Sequence, residues 1–128
     1  MRKGLLDTSA FVSLIEGKLD VEALPEGSTI SIITVCELSH GVLAASDAKR
    51  PVRLRALSVA QQEFDALPID HLVATRFGEL MANARRNRKA KPDPADALIA
   101  ATALALDLPV FTQDQDFKVF DGVEVVFV

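Results

Sequence analysis

Five acidic side chains stand where they could do chemistry together: Asp7, Glu37, Asp96, Asp114 and Asp116. Asp7 closes the apolar run Gly4-Leu5-Leu6, and Asp114 closely follows the apolar run Val110-Phe111-Thr112. Asp96 lies among alanines, and its neighbours three and four residues away are Asp93, Pro92, Ile99 and Ala100, none of which can pair with a carboxylate. Two carboxylates ~4–5 Å apart repel by roughly 4 kcal/mol at an effective dielectric near 20. Three or four brought together need a compensating cation. Oxygen-only ligation without a Cys or His cage selects a hard ion, Mg²⁺ or Mn²⁺. Such an ion binds phosphate oxygens, activates water and stabilises a leaving oxygen, and phosphodiester hydrolysis is the natural reaction.

The elements that must position these acids can be read from the chain. A buried strand over 4–6 leads to a helix over 8–16, where Phe11, Val12, Leu14 and Ile15 recur with helical spacing. A loop with one turn of helix at 21–24 precedes a β-rich strand over 29–32. Thr34-Val35-Cys36-Glu37 has the form of a capping box and opens a helix to about residue 45. Further helices are expected over 52–64, over 70–88 with Asp70 as cap, and over 94–106, with Asp93 as N-cap and Pro94 at the first helical position. Short strands are expected at 67–69, 110–112 and 123–128, and a turn or short helix at 114–120. Strands alternating with helices imply βαβ units, hence an α/β fold with a mainly parallel sheet of about five strands, covered on both faces. The helix after Asp93 is apolar nearly all round, so it is buried on more than one side.

Strand C-termini in a parallel sheet share one edge, where open α/β folds bind ligands. Asp7, Glu37 and Asp114 follow strands and belong at that edge, whereas topology alone leaves the place of Asp96 open. Each acid also has a purely structural account. Asp7 could cap a helix, Glu37 complete a capping box, Asp96 answer a helix dipole, and Asp114 serve a turn. Taken jointly, those accounts would leave several unpaired charges on one sheet edge. Lys118 and His40 are the nearest candidate partners, for Asp114 and Glu37 respectively.

With 128 residues, 49% hydrophobic and 25% charged, the chain suits one globular domain with a real core. No apolar run is long enough to span a membrane. The early acid at Asp7 argues against a signal peptide, and the lone Cys36, expected as a small core hydrophobe, fits a reducing cytosol. Net charge is −4, and setting the five acids aside leaves +1 on the remainder, so the acidity is local. No Ser or Cys nucleophile motif surrounds His40 or His71, which are read as surface or structural residues. Phosphate-binding glycine loops are absent as well.

Asp7-Thr8-Ser9, Cys36-Glu37-Leu38 with Gly41, Asp96-Ala97-Leu98-Ile99-Ala100-Ala101, and Thr112-Gln113-Asp114-Gln115-Asp116-Phe117 together resemble the PIN-domain nucleases, and among them the small VapC-type toxins of toxin–antitoxin pairs. The match covers the whole chain in order. The resemblance implies a three-layer PIN-like fold, a metal-dependent endoribonuclease, a homodimer and a VapB-type antitoxin partner. It assigns Asp7, Glu37, Asp96 and Asp114 as the catalytic quartet, with Asp7, Asp96 and Asp114 toward Mg²⁺ or Mn²⁺. Asp116, Thr8 and Thr112 border that site. Asp93 is a departure, a second acid three residues before Asp96. Its capping role and the Leu-Ile-Ala-Ala run after Asp96 favour Asp96.

The basic stretch from Arg85 to Lys91, with Arg85, Arg86 and Arg88, reads either as a solvated helix end or as a rim that steers RNA. With no Trp or Tyr, base-stacking platforms must be few. The helices over 8–16 and 52–64 carry more apolar residues than one sheet face needs, which suits association. Two other classes of function compete. A non-catalytic scaffold is disfavoured because every acid is present. A phosphatase with a covalent Asp needs a second Asp two residues on, where this chain has Ser9.

Overall fold

The computed structural model describes residues 2–87 and 91–128. In order, the elements are β1 (Lys3–Leu6), α1 (Thr8–Ile15), a 3-10 turn (Val21–Ala23), β2 (Gly27–Ile30), α2 (Ile32–Ala44), α3 (Arg50–Glu63), α4 (His71–Arg86), α5 (Pro94–Ala105), β3 (Val110–Thr112), a second 3-10 turn (Gln115–Val119) and β4 (Val125–Phe127). The four strands form one sheet in the order β2-β1-β3-β4, and every pairing is parallel.

Alternation along the strands builds two cores. Leu5 and Val110 face one side and pack with Val73, Leu80, Ile99 and Phe117, while Leu6 and Phe111 face the other and pack with Phe11, Ile30, Leu38 and Ala60. The result is the expected three-layer α/β/α arrangement. Gly4 in β1 allows the close approach, because a Cβ there would lie 2.5 Å from the Phe111 ring and 2.9 Å from Pro25. Among the described residues, no helix is long and apolar enough to cross a membrane.

Four expectations need correction. The fifth strand, at 67–69, is reduced to one bridge. Leu67 accepts from the Ile32 N–H and donates to the Ile30 carbonyl, but Pro68 has no N–H to continue and α2 begins at once on the other side. The capping box is absent too: α2 starts two residues before Thr34, with Ser31 as N-cap accepting from the Ile33 N–H at 3.0 Å. Thr34 is thereby placed inside the helix and fully buried. Cys36 is exposed rather than in the core. On α1, against expectation, Val12, Leu14 and Ile15 pack partly into the second core, whereas on α3 Val52 and Leu54 are exposed as expected, with Leu43 exposed on α2.

The expected caps at Asp70 and Asp93 form, each carboxylate accepting a backbone N–H of its helix. At the other end of α5, Asp107 adopts φ 55° and the Leu108 N–H returns to the Ala103 carbonyl at 2.9 Å. This left-handed turn sends the chain straight into β3. With so short a connection α5 must run antiparallel to β3, and its first turn, with Asp96, therefore lies at the edge where β3 ends.

Candidate active site

Asp7 leaves β1 in extended backbone and caps α1, its carboxylate accepting from the Ala10 N–H at 2.9 Å. Ser9 donates to both of its oxygens, at 2.8 and 3.0 Å, and Thr112 at the end of β3 donates to Oδ2 at 2.5 Å. The side chain is only 3% exposed. Burial pushes its carboxyl above the usual range, Asp114 adds to that, and the bonds from Thr112, Ala10 and Ser9 oppose it. A capping role and a place at the sheet edge are thus held by the same residue.

The other acids arrive from different elements. Glu37, in the second turn of α2, accepts from Thr8 Oγ1 at 2.6 Å through Oε1. Asp114 caps the second 3-10 turn by accepting from the Asp116 N–H at 2.9 Å, and its own N–H donates to Thr112 Oγ1 at 2.9 Å. Asp96 sits half-buried in the first turn of α5, with no hydrogen-bond donor to its carboxylate among the described residues. Its carboxyl is pushed up to about 7, first by burial, then by Asp93, Asp114, Glu37 and Asp7. The four expected acids therefore share one electrostatic neighbourhood. Among the described residues none of them forms an ion pair; Lys118 instead lies over the Phe127 ring, 5.4 Å from its centre.

The donor set suits a hard cation: carboxylates from three elements, hydroxyls oriented toward them, and no thiolate. Among the described residues, no three acidic, imidazole or thiol side chains close into a ready-made cage.

Two clefts flank the acids. One, of about 530 Å³, is lined by Lys91, Asp93, Asp96, Gln115, Asp116, Lys118 and Phe120. The other, of about 440 Å³, is lined by Cys36, Glu37, His40 and Leu98. The start of α5 contributes to both, Asp96 to the first and Ala95 and Leu98 to the second. Sequence reasoning did not single out Lys91, Gln115, Ser9 or Thr34 for this site. Thr34 and Ser9 were visible as hydroxyls beside the acidic motifs, whereas nothing local separates Lys91 from the arginines of the same basic stretch. Arg85 lies in a different groove, with Phe77, Met81 and Ala82, and Arg86 is exposed at the end of α4. Arg88 lies outside the described residues. His71 is exposed on α4.

A family model for the PIN domain matches residues 4–123. The chain belongs to the PIN-domain family. It is 39% identical to Ribonuclease VapC5 of Mycobacterium tuberculosis over 123 residues, covering 93% of this chain and 88% of the relative. Ribonuclease VapC4 of the same organism is 32% identical over 127 residues, covering 98% of this chain and 97% of that one. The fold superposes on the crystal structure of VapBC-5 from Mycobacterium tuberculosis, a member of the VapBC family of toxin-antitoxin systems. The TM-score is 0.84 at 34% identity, with 100% of this chain and 98% of the other covered. In this PIN domain Asp7, Glu37 and Asp114 follow strands at the C-terminal edge of the parallel sheet, and the first turn of α5 adds Asp96, whose place topology alone had left open.

Proposed function

We propose that this PIN domain is a metal-dependent endoribonuclease acting as the toxin of a type II toxin–antitoxin pair. The observation that carries the reading is the meeting of Asp7, Glu37, Asp96 and Asp114, from four separate elements, in one neighbourhood where no described cation pairs with them. Similarity to proteins named ribonucleases along almost the whole chain supports RNA as the substrate.

In this reading Asp7, Asp96 and Asp114 would hold Mg²⁺ or Mn²⁺. A bound ion of that kind polarises the phosphate and lowers the pKa of water. The protein's own groups do the positioning. Ser9, Thr112 and the Ala10 N–H fix the Asp7 carboxylate. Thr8 fixes Oε1 of Glu37 and leaves Oε2 to accept a proton from water at the scissile phosphate. Lys91 and Lys118 line the larger cleft and would attract the RNA backbone.

The likeness to a VapBC complex and the exposed Leu43, Val52 and Leu54 support a VapB-type antitoxin partner and a homodimer, and the lone Cys36 fits work in the reducing cytoplasm. The test is incubation of antitoxin-free protein with total RNA. Cleavage is expected with Mg²⁺ or Mn²⁺ and is lost with EDTA. Cleavage undiminished by EDTA overturns the metal mechanism, and RNA binding without cleavage points to the scaffold class.

A further inference from the structure

We infer that Thr34 is a positioning residue that orients Glu37 through Thr8, an inference that rests on the nuclease reading above. Thr34 is fully buried in the first turn of α2, three residues before Glu37 on the same helix. Its hydroxyl lies 2.9 Å from Thr8 Oγ1, at the start of α1. Thr8 Oγ1 lies in turn 2.6 Å from Glu37 Oε1.

Proton counting gives this chain a direction. A threonine hydroxyl carries one proton and two acceptor sites. The carboxylate oxygen of Glu37 can only accept, so the Thr8 proton goes to Glu37. The Thr34–Thr8 contact then needs the other proton, and Thr34 is the donor. The order is Thr34 to Thr8 to Glu37. Each donation polarises the next bond in a partly water-excluded place, which strengthens the last one.

The arrangement also restrains rotation. With Thr34 donating to it, Thr8 Oγ1 cannot turn its proton toward Thr34 without putting two hydrogens face to face. Thr8 is thereby held in the one orientation that serves Glu37. Glu37 is a long side chain, partly exposed at the rim of the smaller cleft, and would otherwise sample several rotamers. Asp7, the N-cap of α1, receives its own donors, Ser9 and Thr112, so the Thr34 chain serves Glu37 independently. This accounts for a buried hydroxyl in the apolar run Ile32-Ile33-Thr34-Val35, where a capping role is ruled out by the helix start at Ile32.

The experiment is a four-member series at position 34 in the full chain: wild type, Thr34→Ser, Thr34→Val and Thr34→Ala. It separates the hydroxyl from the methyl group. Initial cleavage rates on total RNA in Mn²⁺ are measured at limiting and at saturating RNA. Melting temperatures are recorded alongside, and the Glu37 side chain is located by crystallography. A positioning hydroxyl sorts the rates with Thr and Ser together, and with Val and Ala lower by about ten-fold at saturating RNA. KM should change little. A packing role sorts them with Thr and Val together and Ser and Ala impaired, and that order overturns the inference. If the Val variant does not fold, Ser against Ala still isolates the hydroxyl. If the wild type cuts no RNA, the nuclease reading fails by itself. The relay is then judged by crystallography alone: Glu37 in several positions in the Val or Ala variant supports it, and one unchanged position overturns it.

Discussion

Asp7 and Asp96 are both carboxylates at the first turn of a helix, and both carboxyls are pushed upward by burial. Their surroundings are otherwise opposite. Asp7 is almost completely enclosed and receives hydrogen bonds from Ser9, Thr112 and the Ala10 backbone. Asp96 is half-buried, receives none among the described residues, and faces four other acids. The protein compensates the first charge with its own dipoles and leaves the second uncompensated. An acid at a helix start is therefore ambiguous: the same position serves as an integral cap in one case and as a destabilising charge in the other.

The comparison can be broken most directly by removing each group. Replacing Asp7 by Ala deletes a helix cap and leaves two hydroxyl donors, the buried Thr112 and the partly buried Ser9, without their acceptor. A loss of about 2 kcal/mol in unfolding free energy is expected in metal-free protein. Urea denaturation in EDTA measures it, and a variant as stable as wild type would show that the hydroxyls find other partners.

For Asp96 the sign should reverse. Asp96→Asn removes a repelled charge, and the metal-free protein should gain about 1 kcal/mol, a figure discounted for the water that screens this half-open site. The pH dependence follows from the raised carboxyl. A folded value near 7 against an unfolded value near 3.8 means that the folded state binds the proton more tightly. The group's penalty is therefore absent below about 3.8, grows as pH rises, and is complete above about 7. Between those limits wild type should lose stability with rising pH relative to Asp96→Asn. Added Mg²⁺ should stabilise wild type more than the variant. Equal pH slopes and equal Mg²⁺ responses would return Asp96 to the role of a helix-dipole acid.

The smallest effect sharpens the comparison at its rim. Lys91 and Lys118 line the cleft that Asp96 faces, whereas Arg85 lies in another groove. Substituting the two lysines by Ala should flatten the salt dependence of RNA binding by ~0.7 in log–log slope for each phosphate that is no longer neutralised. Substituting Arg85 and Arg86 should change it less. Anisotropy titrations of labelled RNA in EDTA, at several salt concentrations, measure both. A larger change for the arginines would move the RNA path onto α4.

Much of the fold was legible because it is local. Short apolar runs, the 3.6-residue helical spacing, the Asp70 and Asp93 caps and the Pro94 start are set by neighbours a few residues apart, and the structure places the elements close to those signals. The errors came where two local solutions compete. Ser31 and Thr34 both precede an apolar helix, and the earlier one starts it because β2 ends at Ile30 and the Ile32 N–H is taken by Leu67. Leu67 and Ile69 have strand character, yet Pro68 limits them to one bridge.

For the site, the sequence by itself determined which acids are present, their order, and which of them follow strands. It also carried the motifs that join this chain to the PIN-domain family. Only the tertiary structure decided that the first turn of α5 lies at the same edge as Asp7. That outcome depends on the tight turn at Asp107, which reverses the chain into β3. It decided, too, that Thr112 reaches Asp7 across 105 positions of sequence and Thr8 reaches Glu37 across 29. Hydrogen bonds between distant segments leave no periodic trace in a chain, because the geometry that makes them belongs to the packing of whole elements.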